Sequence, residues 1–314
     1  MAIFKLKPSC KDYLWGGRKL IDDFAKDYKG DKLAETWELS CHKDGHCYIA
    51  NGEYSGRTLK EYIDDNGMEV LGKNCEQFEE FPVLVKFIDA FDDLSIQVHP
   101  NDEYSRKYEG QSGKTEIWYI VECDEEAYVY YGLNQKVTKD EIRKHVQEDT
   151  LLEVLNKVRV KKGDVFYVEA GTIHAIGKNV LIAEIQQNSN ITYRLFDYAR
   201  TDAKGNRREL NVDKAIDVVI TSKSNRDYEF GDHMASCKYF TVDKYDITEE
   251  NEKSIEVLEK SFISVLVVEG EAILTNIDEI TIIKKGDSFF IPANSGRVCL
   301  KGEVTVLVTT IPEN

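Results

Sequence analysis

Four polar side chains stand in short apolar segments at spacings that could build a metal site. Gln97 and His99 lie two residues apart in the run SIQVH, so on a β-strand both would face the same side of a sheet. Glu116 opens the next strongly apolar run, and His174 ends a later one. Two imidazoles with carboxylate and amide oxygens suit zinc, and the same set would accept manganese, iron or cobalt. The alternative for each residue is structural: a polar outer face, a solvated strand end or a hydrogen-bonded turn.

Two lysines occur close to these residues in the sequence. Lys86 lies in the apolar run PVLVKFI, where an unpaired ammonium group would be costly to bury. Lys114 is two residues before Glu116. Both are candidates for binding an anionic substrate. The alternative is surface solvation or an ion pair with one of the 57 acidic residues.

The elements that would position these residues are mostly strands. Short runs rich in Val, Ile, Phe and Tyr recur along the chain between Gly, Asn and Asp, a pattern typical of a β-sandwich or jelly roll. Helical periodicity is limited to three short segments, over residues 58–63, 138–155 and 213–220. In the second of these, Thr138 and Glu141 have the spacing of a capping box.

An internal repeat indicates two copies of one β module. VKKGDVFYVEAGTIH (160–174) and IKKGDSFFIPANSGR (283–297) share two lysines, Gly, Asp, Phe and Ala at a constant offset of 123 residues. EAYV (126–129) resembles EAIL (271–274) at an offset of 145. The difference of 22 residues is about what a helix over 138–155 and its connections would add to the first copy.

Composition and charge exclude several classes of function. The chain has 314 residues, and 41 basic against 57 acidic residues give a formal charge of −16, which argues against a general nucleic-acid or anionic-membrane surface. A phosphorylated small molecule remains compatible with this charge. We find no apolar run long enough to span a bilayer and no signal peptide. Seven cysteines without a CxxC pair indicate reduced thiols, so we expect a cytoplasmic protein.

The candidate ligands resemble the two cupin motifs. His174 ends a segment similar to the second motif, with Glu169 where proline is usual. Gln97, His99 and Glu116 resemble a stretched first motif in which glutamine replaces the first histidine. In the second copy, Arg297 stands where the metal-binding histidine belongs. We therefore expect the C-terminal module to be a degenerate, metal-free cupin.

Further runs resemble the type I mannose-6-phosphate isomerase family in its short bacterial form. They are DYLWGGRKL (12–20), AETWELS (34–40), PVLVKFIDA (82–90), LSIQVHPND (94–102), GKTEIWYI (113–120), HAIG (174–177) and YRLFDYAR (193–200). The resemblance implies a mostly β fold of two cupin-type jelly rolls. It implies a catalytic domain with helical insertions over residues 1–240 and the degenerate module over residues 241–314.

The resemblance also implies an activity and a set of site residues. Family members interconvert mannose 6-phosphate and fructose 6-phosphate through a cis-enediol. The implied cofactor is one zinc ion per chain, held by Gln97, His99, Glu116 and His174. The family places an essential, catalytic arginine at Arg194 and a polar partner or base at Glu184. With Lys86 and Lys114, Glu184 would bind the substrate.

Two other functions remain open at this point. The first is a metal cupin that isomerises another sugar phosphate, and the second is a cupin sensor that binds metal and sugar without turnover. Retention of the whole ligand set together with Arg194 favours catalysis. A monomer and a homodimer are both compatible with the sequence.

Overall fold

The computed structural model describes residues 3–201, 205–225 and 227–313, and strands dominate these residues. The strands are β1 (Phe4–Lys7), β2 (Ser9–Lys11), β3 (Glu35–Leu39), β4 (Tyr48–Ile49), β5 (Val83–Ala90), β6 (Ile96–Val98), β7 (Glu116–Cys123), β8 (Tyr128–Leu133), β9 (Leu155–Arg159), β10 (Val165–Val168), β11 (His174–Ile176), β12 (Val180–Gln187), β13 (Tyr193–Phe196), β14 (Ala235–Ser236), β15 (Thr241–Ile247), β16 (Lys253–Val257), β17 (Ile263–Thr275), β18 (Ile280–Lys284), β19 (Ser288–Ile291) and β20 (Gly296–Thr310). The α-helices are α1 (Lys19–Asp22), α2 (Leu59–Asn66), α3 (Asp102–Tyr108), α4 (Lys139–Gln147) and α5 (Val212–Val218). Short 3₁₀-helices cover Met68–Leu71, Lys73–Gln77 and Leu151–Val154.

The three predicted helices are present, and one is shorter than predicted. Thr58 and Thr138 begin α2 and α4 with complete capping boxes, as predicted for the second of them. Helix α4 ends at Gln147 rather than residue 155, because Asp149 adopts a left-handed φ of 55° that an α-helix cannot contain. The remainder of that segment forms a 3₁₀-helix and the start of β9. No helix among the described residues is long and apolar enough to cross a membrane.

A six-stranded antiparallel sheet has both of its faces buried. Its strand order is β10-β7-β12-β5-β3-β2. One face packs against Phe240, Phe262 and Phe290 from the later part of the chain. The other face contributes Trp118 and Ile182 to a separate core. All eight residues of β12 are buried, so a charged side chain on this sheet must find its partners inside the protein.

A five-stranded antiparallel sheet lies opposite the second of these faces. Its order is β13-β6-β11-β8-β9. Val129 and Ile176 from this sheet share a core with Trp118 of the six-stranded sheet. Helices α4 and α5 cover its outer face through Ile142 and Ile216. The two sheets form a sandwich with one interior, in agreement with the predicted jelly roll.

A nine-stranded sheet forms the second module around an aliphatic core of its own. Its main order is β14-β15-β20-β17-β19-β1-β4, with β16 paired to β20 and β18 paired to β17. Strand β1 joins this sheet by pairing with β19, although it lies at the start of the chain. The sheet therefore takes strands from both predicted domains, and the limits 1–240 and 241–314 remain a prediction.

The repeated KKGD run forms the same turn in both modules. Gly163 and Gly286 adopt left-handed φ angles of 91° and 88°, which glycine accepts without strain. The Asp164 carboxylate accepts a hydrogen bond from the Lys161 N–H at 2.9 Å, and Asp287 accepts one from the Lys284 N–H at 3.1 Å. The sequence repeat thus corresponds to a structural repeat.

Candidate active site

The six-stranded sheet carries a row of polar and aromatic side chains on its inner face. The cross-strand register places Trp37 opposite Lys86, Lys86 opposite Glu184, and Glu184 opposite Trp118. Directly paired residues share a face of a sheet, so these four side chains lie side by side. Glu116 is two residues before Trp118 on β7 and faces the same interior.

The opposing five-stranded sheet carries the second part of the site. Gln97 on β6 pairs with His174 on β11 and with Arg194 on β13. His99 follows the end of β6 and is 1% exposed. The sandwich therefore brings together all four predicted metal ligands and the predicted arginine, although they are up to 97 residues apart in the chain.

Three of the predicted ligands converge on one point. The His174 Nε2 atom lies 3.4 Å from Glu116 Oε1, and the His99 Nε2 atom lies 3.6 Å from Glu116 Oε2. All three side chains are buried, and their ligand atoms lie within 4.8 Å of one another. The Gln97 Nε2 atom is 3.4 Å from His174 Nε2, so turning the amide over would bring its oxygen to the same point.

The spacing and charge of these atoms fit a divalent cation. Ligands about 2.0–2.2 Å from a tetrahedral zinc ion stand roughly 3.4 Å apart, close to the separations seen here. Burial lowers the pKa of His174 to about 4 and that of His99 well below its usual value, so both rings are neutral and can donate a lone pair. His174 Nδ1 lies 2.8 Å from the Thr172 carbonyl, which fixes the proton on Nδ1 and leaves Nε2 free to coordinate.

Glu116 is the candidate ligand whose side chain most needs a positively charged partner. Burial raises its pKa to about 7, although the ammonium group of Lys114 opposes this shift. The Lys114 Nζ atom lies 2.9 Å from Glu116 Oε2. A bound divalent cation would complete the charge balance around this carboxylate, which is fully buried.

Charges of alternating sign connect the metal cluster to the six-stranded sheet. The Lys114 Nζ atom lies between Glu116 and Glu184, 3.9 Å from Glu184 Oε2. Lys86 Nζ lies 3.2 Å from Glu184 Oε2 and 3.6 Å from Glu35 Oε2. The chain of charges is therefore Glu35, Lys86, Glu184, Lys114 and Glu116, and the lysine that the sequence placed in an apolar strand is paired on both sides.

Within this network, Lys86 and Glu184 stay ionised despite their burial. Burial alone would lower the pKa of Lys86, but Glu35 and Glu184 outweigh it, and the net shift is upward. Burial alone would raise the pKa of Glu184, but Lys114 and Lys86 outweigh it, and the net shift is downward. The Trp118 indole N–H also donates to Glu184 Oε1 at 3.2 Å. Glu184 is thus an oriented carboxylate between two ammonium groups.

Arg194 is positioned by neutral oxygen atoms. Its Nε donates to Ser95 Oγ at 3.1 Å and its Nη1 donates to the Glu209 carbonyl at 3.0 Å. Asp197, three residues further along the chain, is paired with Arg200 and Arg208 rather than with Arg194. Among the residues that the structure describes, Arg194 therefore makes no hydrogen bond to a carboxylate.

Comparisons with known proteins agree with this geometry. Residues 3–131 match the protein family described as "Phosphomannose isomerase type I, catalytic domain". Residues 231–311 match the family described as "Mannose-6-phosphate isomerase, cupin domain". The mannose-6-phosphate isomerase ManA of Bacillus subtilis is 37% identical over 96% of this chain and 97% of its own length. The mannose-6-phosphate isomerase of Streptococcus mutans is 35% identical over 89% of each chain. The chain belongs to the type I mannose-6-phosphate isomerase family.

A solved structure confirms the fold expected for this family. The crystal structure of the mannose 6-phosphate isomerase from Bacillus subtilis superposes with a TM-score of 0.89 at 34% identity, over 98% of this chain and 99% of that chain. The prediction of two cupin-type modules is confirmed. As a member of the mannose-6-phosphate isomerase family, the chain is an isomerase.

The predicted substrate residues of this isomerase line one cavity. It has a volume of about 290 Å³ and is bordered by five of the predicted residues: Lys86, Gln97, Lys114, Glu184 and Arg194. The metal cluster adjoins this cavity through Gln97 and Lys114, which lie against His174 and Glu116. A larger cavity of about 540 Å³ near His42 and His46 contains none of the predicted residues.

Several residues that border the same cavity were not predicted from the sequence. Glu35, Trp15, Asn190 and Arg208 all border it. Glu35 and Trp15 lie in the runs AETWELS and DYLWGGRKL, which carried the family resemblance, so alternation along β3 could have indicated Glu35. Arg208 had no such signal, because it lies outside regular structure, and in the folded chain it pairs with Asp197.

Proposed function

We propose that this isomerase interconverts mannose 6-phosphate and fructose 6-phosphate with one zinc ion per chain. The observation that carries the proposal is the buried convergence of His99, Glu116 and His174 next to a cavity that is lined by cations. The names of the relatives support the substrate. The neutral imidazoles and the hard oxygen ligands support zinc, which would be held by these three residues and Gln97.

The proposed reaction moves a proton between C2 and C1 of the open-chain sugar through a cis-enediol. Zinc supplies a Lewis acid that polarises the sugar oxygens. Glu184 is the candidate polar partner or base, since its carboxylate is ionised and is oriented by Lys86 and the Trp118 indole. Burial of these groups excludes water from the reacting carbons and strengthens their electrostatic effect.

Arg194 is the proposed catalytic arginine. The enediol carries developing negative charge on adjacent oxygens, and a guanidinium group can present two donors to them while remaining charged. Its present partners, Ser95 and the Glu209 carbonyl, are neutral, so its charge is available to the substrate. Burial, followed by the proximity of Arg208, lowers the pKa of Arg194 from its ordinary value.

The anionic end of the substrate needs cations on the same cavity wall. Lys86 and Lys114 are the proposed substrate-binding lysines, and Arg208 borders the same cavity. All three cations contact carboxylates, but Arg208 is partly exposed and shares its partner Asp197 with Arg200. We infer that Arg208 assists the lysines in holding the phosphate.

The domain limits, the cellular location and the oligomeric state of the protein are also proposals. We infer a catalytic domain over residues 1–240 and a metal-free module over residues 241–314, supported by the different interiors of the two modules. We infer a cytoplasmic location, supported by the seven free cysteines. The chain would act as a monomer or a homodimer.

A coupled assay tests the proposed reaction. Purified protein should convert mannose 6-phosphate to fructose 6-phosphate, lose the activity in a strong chelator and recover it with zinc. Free mannose should be a very poor substrate, because it lacks the charge that the lysines and Arg208 would bind. Turnover of a different sugar phosphate alone, or binding of mannose 6-phosphate without turnover, would contradict the proposal in favour of the two rival functions.

A further inference from the structure

The segment that carries Lys114 is fixed by one hydrogen bond at each of three consecutive amides. The Gly113 N–H donates to Asp102 Oδ1 at 2.9 Å, and the Lys114 N–H donates to the Pro100 carbonyl at 2.9 Å. The Thr115 N–H donates to Gln187 Oε1 at 2.9 Å. Lys114 is 5% exposed, so the path of this short segment determines where its ammonium group lies.

A single carboxylate connects both ends of this segment. Asp102 Oδ1 accepts a hydrogen bond from Gly113 and another, also at 2.9 Å, from Gln187 Nε2. Gln187 in turn binds Thr115 through its oxygen. Asp102 therefore acts directly on the residue before Lys114 and, through Gln187, on the residue after it.

The fit between Gly113 and the Asp102 region leaves no room for a side chain. A Cβ atom at Gly113 would lie 2.4 Å from the carbonyl carbon of Asn101 and 2.5 Å from the backbone nitrogen of Asp102. Both are backbone atoms that cannot move aside without shifting the start of α3. A displacement of Asp102 would therefore also move Gly113.

The other oxygen of Asp102 is held by a residue from the edge of the nine-stranded sheet. The Tyr239 hydroxyl donates to Asp102 Oδ2 at 2.7 Å. Tyr239 lies in the turn between β14 and β15, which is closed by a hydrogen bond from the Cys237 N–H to the Phe240 carbonyl at 2.9 Å. Phe240 is fully buried in the core shared with the six-stranded sheet, so the turn that presents Tyr239 is anchored.

We propose that Tyr239 is a positioning residue for Lys114 and acts through Asp102. The nine-stranded sheet, which has no polar site of its own in its described interior, would thereby set the position of a substrate-binding lysine beside the six-stranded sheet. The inference rests on the proposed role of Lys114 in the reaction. The charge-assisted hydrogen bond from Tyr239 holds the carboxylate, and the carboxylate holds the two residues that flank the lysine.

The Tyr239→Phe variant tests this inference, because it removes one hydroxyl and keeps the ring against Phe78. We expect amide exchange at Gly113 to become about tenfold faster and kcat/KM for mannose 6-phosphate to fall about tenfold, with unchanged metal content and melting temperature. Tyr104→Phe is the matched control, since its hydroxyl donates to Asp217 at 3.0 Å from the same helix as Asp102. This control should change neither quantity.

A second variant shows whether the effect passes through Asp102. Asp102→Asn should reproduce the faster exchange, and adding Tyr239→Phe to it should cause little further change, because both substitutions remove the same link. Unchanged exchange and activity in Tyr239→Phe, or equal effects in Tyr104→Phe, would overturn the inference. If the wild-type protein does not turn over mannose 6-phosphate, the proposed function fails, and the exchange at Gly113 still decides whether Tyr239 holds the segment.

Discussion

The two modules share a turn and a strand register but differ in what fills their interiors. Trp118 pairs with Phe166 on β10, and Val265 pairs with Phe289 on β19, so the two pairs occupy equivalent positions of the repeat. By the same register, Glu116 corresponds to Ile263. The first module therefore has a carboxylate and an indole N–H facing inward where the second module has two aliphatic side chains.

The neighbouring strand shows the same difference. Glu184 pairs with Trp118, whereas Val308 pairs with Val265. The buried core of the second module consists of aliphatic residues and Phe289, with Ala272. His174 is fully buried, and its counterpart Arg297 is exposed and donates to Ser254 Oγ at 2.7 Å.

This comparison shows how one scaffold can serve stability in one copy and chemistry in the other. Burial of aliphatic side chains stabilises the second module at about 25 cal/mol per Å² of apolar surface removed from water. Buried charges in the first module gain little net stability, because desolvation offsets their attraction. The first module keeps those charges in an interior that could have been apolar, which is what an active site requires.

The largest expected difference between the modules is in metal binding. His174→Ala should lose the metal and reduce kcat by about 10³-fold or more, because one of the two imidazole ligands would be gone. Arg297→Ala, at the equivalent position of the second module, should bind as much metal as the wild type and keep full activity. Metal analysis and a coupled assay on both variants check this. Metal retained by His174→Ala or lost by Arg297→Ala would break the comparison.

The next effect concerns catalysis without loss of the metal. Arg194→Lys should keep the metal and the fold but lower kcat about 10²-fold, because an ammonium group cannot present two donors to adjacent oxygens. Arg297→Lys is the control in the second module and should leave kcat unchanged. Metal content, melting temperature and kcat are measured together. A stable, metal-loaded and fully active Arg194→Lys protein would end the catalytic assignment.

The third effect is a pH dependence of stability that arises in the first module. Burial raises the pKa of Asp89 to about 6, despite the hydrogen bond that its carboxylate accepts from the Lys19 N–H at 2.8 Å. Because the folded state binds this proton more tightly than the unfolded state, Asp89 lowers stability as the pH rises from about 4 to above 6. Its share of the free energy of unfolding is about 2–3 kcal/mol.

Asp89→Asn should remove that share of the pH dependence, since the amide does not ionise and can still accept from Lys19. Denaturant unfolding at pH 5 and pH 8 measures the effect for both proteins. The expected outcome is a smaller difference between the two pH values in the variant. An identical difference in both proteins would show that Asp89 is not the source.

The last prediction is that one substitution in the second module has no effect on metal binding or activity. Arg297→His restores the cupin histidine to the second module, but Ile263, Val265 and Val308 still offer no ligand atoms there. The variant should bind no second metal ion and should isomerise at the wild-type rate. A second equivalent of bound metal would show that the aliphatic interior is not what keeps this module free of metal.

Local features of the fold were predictable because they depend on neighbouring residues. The capping boxes at Thr58 and Thr138 follow from spacings of three residues, and the KKGD turns follow from glycine and aspartate at fixed positions. Gln97 and His99 were assigned to one face by strand alternation alone. The end of α4 was missed, because nothing in the sequence marks Asp149 for a left-handed conformation.

The assembled site could be predicted only in part, because it depends on pairing between distant strands. The family resemblance supplied Glu184 and Arg194, and the register that sets Glu184 between Lys86 and Trp118 appeared only in the folded chain. Arg208 was missed because it lies in a loop. The addition of β1 to the second module was also missed, since a four-residue strand carries no sign of its partner.

The most direct test of the whole account is to locate the metal and relate it to activity. Crystals of the active protein, measured at the zinc absorption edge, should show one anomalous peak per chain between His99, Glu116 and His174. The same preparation should isomerise mannose 6-phosphate in proportion to the occupancy of that peak. A peak in the second module, or full activity in protein with no peak at these three residues, would contradict the account.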